Sequence, residues 1–426
     1  MRFVTRGGLM RRRVAAGSAA VLALAVGVSG CADDKPPPPP PPQTASASPA
    51  ESSALDPPLA FAAKPVRIPL PSRMFQVRDG AAYLLEGNNA LAAYDLATGA
   101  RRWSAPLAGP PVRLGNTGPM IAEVDGRPTA FVTYRVEIAG SGTVPDRTVL
   151  RVASFGLADG APGWQSDVDD RGIPDDGSLG VDKVVAASSD HVVLSTDSYD
   201  TGGVSGDFTA VLDARTGKTR WTEPAFQARA LDGDVVAGMS SEPHPDRTPS
   251  STIGLAASDG SQVWAHEETR PVGNLINGPL GGGLLQVYPV GRRGDGPNGI
   301  VDLKTGREVI RLETGGSSSV CRYDDESVVV CSQHLSSRNG TMVAYDATSH
   351  KRLWQVPEKG SGREAPRITA ARRGMVYGST SNGPLILDAR TGQDKVTDLP
   401  FVPEVVVPGF GIEVEQREMT VHPAVG

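Results

Sequence analysis

The stretch AYDLATGARRW at residues 93–103 returns as VLDARTGKTRW from residue 211, AYDATSHKRLW from 344 and ILDARTGQDKV from 386. A chain that repeats one segment builds one unit several times, and such units stack so that each buries its neighbour's face. Aligned on Asp95, the equivalent positions are Gly156, Asp213, Ala256, Asp302, Asp346 and Asp388, which makes seven copies. The residue before each is bulky and apolar: Tyr94, Phe155, Leu212, Leu255, Val301, Tyr345 and Leu387. Three residues after each stands Thr98, Asp159, Thr216, Asp259, Thr305, Ser349 or Thr391, always with a side-chain oxygen. The next position reads Gly99, Gly160, Gly217, Gly260, Gly306, His350 and Gly392. Eight beyond the Asp position lie Trp103, Trp164, Trp221, Trp264, Ile310, Trp354 and Val396, and all five tryptophans of the chain fall there.

These residue types describe a hairpin. An apolar strand ends at the Asp, whose carboxylate accepts backbone N–H groups in the turn. The Thr, Ser or Asp adds a second acceptor, and Gly takes a positive-φ position. The strand that follows carries Trp as a large buried anchor. His350 departs from Gly and predicts either strain or a different turn. Successive copies are 61, 57, 43, 46, 44 and 42 residues apart. A period in the low forties, made of four short strands, is that of a β-propeller blade. The two long intervals place extra residues in IAGSGTVPDRTV (138–149), and in DVDDRGIPDDGSLG (167–180) or DSYDTGGVSGD (197–207), on one rim of the ring.

Composition agrees with an all-β chain. Gly (50) and Pro (36) interrupt regular structure often, and short β-branched runs such as HVVLST and ESVVVCS lie between them. After the seventh copy, PEVVVPGFGIEVE and REMTVHPAV offer about three more strands, and PVRIPL near the N-terminus offers a fourth. The expected architecture is an eight-bladed propeller whose last blade is shared by both termini, with seven blades as the alternative.

The A-x-D-x-x-T-G-x-x-x-W pattern resembles the tryptophan-docking motif of the PQQ-like (quinoprotein-type) propeller repeat, over about residues 73–397. The resemblance implies that the Trp of one blade packs against the next, with Asp95, Gly99, Trp103, Trp164, Asp213, Gly217, Trp221, Trp264, Asp302, Gly306, Asp346, Trp354, Asp388 and Gly392 as docking residues. It says far less about activity, because one fold hosts many functions.

The N-terminus precedes the fold. MRFVTRGGLMRRR carries five arginines and no acid, and Val14–Val28 is an apolar run too short to span a bilayer. Residues 1–30 read as a secretory signal and close on Val28-Ser29-Gly30-Cys31, which resembles a lipobox with Cys31 as the lipidated residue; an ordinary signal with a chance cysteine is the alternative. Arg11-Arg12-Arg13 leaves both the general and the twin-arginine export routes open. Losing the signal takes the formal charge from −6 to −11, which argues against nucleic acid and anionic lipid surfaces as partners. Residues 31–64 follow as a disordered linker whose Pro36–Pro42 run forms a stiff rod of about 20 Å, and 65–426 form the propeller. Cys321 and Cys331 flank an Asp-Asp-Glu-Ser turn between apolar runs, so in an exported protein they pair across a hairpin as a disulfide.

Little in the sequence suggests catalysis. The six histidines are scattered singly, TGKTRW lacks the first glycine of a phosphate loop, and GPLGGGLLQV reads as a bend between strands. DVDDRGIPDDG has Arg171 where a calcium loop wants an oxygen ligand, and Ser178 follows where it wants Glu. The expectation is a monomeric lipoprotein on the extracytoplasmic face of the cell membrane, with no cofactor, no metal and no enzymatic activity. Its propeller binds a protein or ligand at a rim or in the channel, in a layout similar to BamB-type lipoprotein propellers and to sensor domains of actinobacterial surface proteins. The alternative is a PQQ-dependent dehydrogenase.

Overall fold

The structure, a computed structural model, describes residues 55–425 except 71–73, 88, 110, 115–117, 170–180, 198–206, 241–250, 266–272, 291–297, 313–318, 335–339, 359 and 416. The signal, Cys31 and the proline run lie outside the described residues.

Eight antiparallel sheets make eight propeller blades. Blade 1 shows the plan: strands Phe75–Arg78, Ala81–Glu86, Ala90–Asp95 and Arg101–Pro106 follow one another as a meander. The first strands of neighbouring blades, from blade 2 round to blade 8, pack against one another. They are therefore the inner wall, and the Trp-bearing fourth strands are the outer one. Alternation along each middle strand sends apolar side chains to both neighbouring blades, and burial is nearly continuous there: Ala90, Leu91, Ala92 and Ala93 are all buried.

Blade 8 uses both ends of the chain. Its first three strands are Val405–Val407, Phe410–Val414 and Glu418–Pro423, and its outer strand is Val66–Pro69, with Val66 opposite Val421. Blade 2 accounts for the first long interval. Its inner strand is split into Pro111–Leu114 and Met120–Val124, both paired to an extended second strand, Arg127–Ile138, which meets Arg147–Gly156 in a long hairpin. The glycines of GPLGGGLLQV do form a turn, Gly281–Gly283 with positive φ throughout, between the first two strands of blade 5.

One expectation needs correcting. Composition assigned residues up to 64 to a disordered linker, but residues 55–64 dock onto blades 7 and 8. The Asp56 side chain is 4% exposed between Arg372 and Arg373, which reach it at 2.5 and 3.2 Å. The Tyr377 hydroxyl donates to the Pro58 carbonyl at 2.7 Å. Phe61 packs against Phe401 with the rings tilted, and the backbone pairs with Pro423–Val425. A few well-placed residues hold this strap where bulk composition promised none.

Candidate functional site

The repeated turn is a closed hydrogen-bond circuit. The Asp95 carboxylate accepts the amide and hydroxyl of Thr98, both at 2.9 Å, and Gly99 N–H donates to the Asp95 carbonyl. The same pattern recurs at Asp213, Asp302, Asp346 and Asp388. In blades 2 and 4 the acceptor moves to Asp159 and Asp259. The arginines of TGARRW and TGKTRW do not simply face solvent, since Arg102 and Arg220 fold back onto Asp95 and Asp213 at 2.8 and 2.6 Å.

Each tryptophan reaches forward one blade. The indole N–H of Trp103, Trp164, Trp221, Trp264 and Trp354 donates to the carbonyls of Leu157, Ala214, Ala257, Leu303 and Ala389, at 2.8–3.0 Å. Each accepting residue directly follows the Asp position, and its own N–H donates to the first turn of its blade or, in blade 2, to Pro128 at the start of the second strand. Reading side chains misses this hub because its work is done by backbone. The trace it leaves is that the position is always Ala or Leu. The indoles lie over Gly160, Gly217, Gly260, Gly306 and Gly392, where an added Cβ would meet ring carbons at 2.3–3.1 Å. These glycines are thus needed twice, for positive φ and for the ring above them. His350 keeps the same turn at φ 59°, and the preceding blade offers it Ile310 in place of Trp. Where no indole arrives, the steric demand for glycine lapses and only the backbone strain remains.

Gly217→Ala is therefore expected to destabilise by about 2–4 kcal/mol, combining left-handed strain with overpacking against Trp164. Gly126→Ala, also at positive φ but with open space around it, is expected to cost about 1 kcal/mol. Urea unfolding of both variants checks the difference.

Burial alone would raise the Asp213 carboxyl, yet the hydroxyl and amide of Thr216, then Arg220, hold it below the usual carboxylate range. A depressed folded pKa gives stability that is full above the unfolded value near 4 and is lost as pH falls through the folded one. The stability gap between the wild type and Asp213→Asn should be constant from about pH 7 to 5 and shrink below about pH 4, as read by denaturation at each pH.

Three seams have no indole, and each is filled differently. Over Gly99 lie Val66 and Ile68 of the N-terminal strand. Between blades 7 and 8, Val396 shares a cluster with Phe61 of the strap, Leu399 and Phe401. Between blades 5 and 6, Ile310 packs with Cys321 and Cys331, which are joined as a disulfide across paired strands.

Two concavities stand out among the described residues. A cleft of about 460 Å³ opens on the inner side of the seam between blades 8 and 1, lined by Phe75, Val77, Val405, Val407 and Val414 with Gln76 and Glu404. A polar cleft of about 380 Å³ beside blade 7 gathers Arg363, Glu364, Asn382 and Asp394, much of it already engaged: Arg363 with Asp394, and Glu364 with Ser381. The inner strands carry both signs of charge, with Arg78 against Glu123 at 2.5 Å and Arg322 donating to the Thr369 carbonyl. Among the described residues no three His, Cys, Asp or Glu side chains gather as a metal site. His191 and His422 sit in different blades: burial first, then Arg220, lowers the pKa of His191, while His422 pairs with Glu413 at 3.0 Å and stacks on Phe401. The acidic stretch 170–180 lies outside the described residues.

The two faces of the ring differ. One carries the first and third turns of blades 1–7, short and stitched to each other by the hub N–H groups, together with the first turn of blade 8. The other carries the second turns and the links between blades, whose lengths vary widely: one residue at Ala225, eight at 139–146 and ten at 357–366.

The PQQ_2 family model, described as Outer membrane protein assembly factor BamB, matches residues 249–397. Among solved structures the chain is similar to BamB from Moraxella catarrhalis (14% identity, 86% of this chain and 99% of that chain, TM-score 0.50). It is similar also to the C-terminal WD40 domain of Sif2 (10%, 86% and 99%, TM-score 0.50) and to the quinohemoprotein alcohol dehydrogenase from Comamonas testosteroni (11%, 88% and 78%, TM-score 0.48). No curated protein matches the chain. At these identities the likeness is one of fold.

Proposed function

We propose that this PQQ-like repeat β-propeller is the body of an extracytoplasmic lipoprotein, tethered through Cys31, that works as a non-enzymatic platform for a protein partner. The observation that carries the reading is the contrast between the faces. A face of uniform, mutually bonded turns is scaffold, and a face of connections free to vary in length is where binding residues accumulate on rigid folds. The family description, Outer membrane protein assembly factor BamB, belongs to that protein and supports the choice of a protein partner over a small molecule. The cysteine pair does not favour the quinoprotein alternative. Cys321 stands on an inner strand, but both cysteines are 1% exposed in the core between blades 5 and 6, so neither presents its sulfur to the channel.

The test is photo-crosslinking in intact cells from Thr143, exposed in the long hairpin of the variable face, and from Asp259, exposed in a turn of the uniform face. A single saturable protein adduct from Thr143, none from Asp259, and release of the chain from membranes by Cys31→Ala support the platform. Adducts from both positions alike, or none from either, overturn it. So does a calcium-dependent rise in melting temperature on adding PQQ, which turns the reading to the dehydrogenase.

A further inference from the structure

We propose that the Cys321–Cys331 disulfide is a redox-addressed latch for the seam between blades 5 and 6. At this seam the forward anchor is Ile310 and the receiving glycine is His350, so neither half of the docking pair is present. What the seam has instead is the disulfide. Leu284, Ile300, Ile310 and Leu312 from blade 5 form one buried cluster with Cys321, Val329, Cys331 and Tyr345 from blade 6. The bond thus lies on the side of blade 6 that faces blade 5, while Trp354 and the opposite side of the sheet pack toward blade 7. The corresponding strand pairs elsewhere hold ordinary apolar partners, Phe75 with Leu84, Val184 with Leu194, and Ile368 with Gly378.

The cysteine backbone is also part of the seam. Gln286 of blade 5, fully buried, donates through Nε2 to the Ser319 carbonyl at 3.2 Å and accepts the Cys321 N–H at 3.3 Å. Anything that loosens the Cys321 strand loosens this bridge with it. Both cysteines are 1% exposed, so a reductant reaches them when the seam parts, and this seam lacks the anchor that holds its neighbours shut. A dithiol reductant supplies the chemistry. Its thiolate attacks one cysteine sulfur, the S–S bond breaks, and its second thiol resolves the mixed disulfide. Two electrons and two protons end on Cys321 and Cys331 as thiols, and the reductant leaves as its own disulfide.

Amide hydrogen exchange on the full chain, oxidised and after treatment with dithiothreitol under native conditions, tests the latch. Thiol titration should count both cysteines as reduced. Exchange across residues 284–334 should quicken at least about tenfold, with blades 1–3 unchanged, and reoxidation should restore protection. In the Ile310→Trp/His350→Gly chain, which reinstates the docking pair, reduction should leave exchange at this seam unchanged. Cysteines that resist the dithiol in the folded chain overturn the proposal. Reduction with no local change overturns it, and so does acceleration spread evenly over all eight blades. The comparison of the two redox forms of the native chain stands even if the double variant does not fold.

Discussion

Trp264→Ala is expected to lower the unfolding free energy by about 3–5 kcal/mol, the range for deleting a large buried aromatic side chain. The indole is 8% exposed, donates to the Leu303 carbonyl at 2.9 Å, and covers Gly306. Alanine leaves a void between blades 4 and 5 and a buried carbonyl short of one donor. The loss should show as a lower urea midpoint with little change in slope, since the same surface unfolds. A double-mutant cycle sharpens the test. Alone, Gly306→Ala meets the ring at 2.3 Å; in the Trp264→Ala background the collision is gone and about 1 kcal/mol of positive-φ strain remains. Strictly additive costs would mean that ring and glycine do not meet.

Asp56→Ala is expected to cost about 3 kcal/mol, at the low end for breaking a buried ion pair, because Arg372 retains Asp325 at 3.3 Å. The carboxylate is nearly sealed between two guanidinium groups, and its loss leaves Arg372 facing an emptied site beneath the strap. Freed of its clamp, the strap should also lose contact at Pro58 and Phe61. Limited proteolysis should then cut within residues 55–64 in the variant and spare them in the parent. Equal cleavage of both chains, with equal stability, would mean that the strap is not held by this pair.

How much of this was legible in the sequence varied with how a feature is written. The docking side chains recur in phase, so seven copies and their spacing led to eight blades, and the cysteines flanking DDES to a paired hairpin. The hub carbonyls were invisible because every residue carries one, and only the Ala/Leu habit at Leu157, Ala214 and their equivalents betrays them. The strap was missed for a different reason. Asp56, Pro58 and Phe61 mean nothing until blade 7 and the link beyond it supply Arg372, Tyr377 and Phe401, and a local window cannot see partners so distant in the chain. His350 was flagged as a departure, but its explanation lay one blade away, at Ile310. Lipidation at Cys31 stays a proposal, since it lies outside the described residues.

The pairing of Val66–Pro69 with Glu418–Pro423 has a consequence for the timing of synthesis. The first strand of the propeller leaves the ribosome long before the strand it must join. Until then, seven blades can form by local hairpins, but the ring stays open, with an apolar N-terminal edge unsheltered and the slot over Gly99 unfilled. Closure is a late, non-local event of the kind that slows β-rich folding. A chain that leaves the cell as a thread reaches its destination with both ends present at once. A nascent chain folding as it is made would expose an unpaired strand for nearly the whole of its translation.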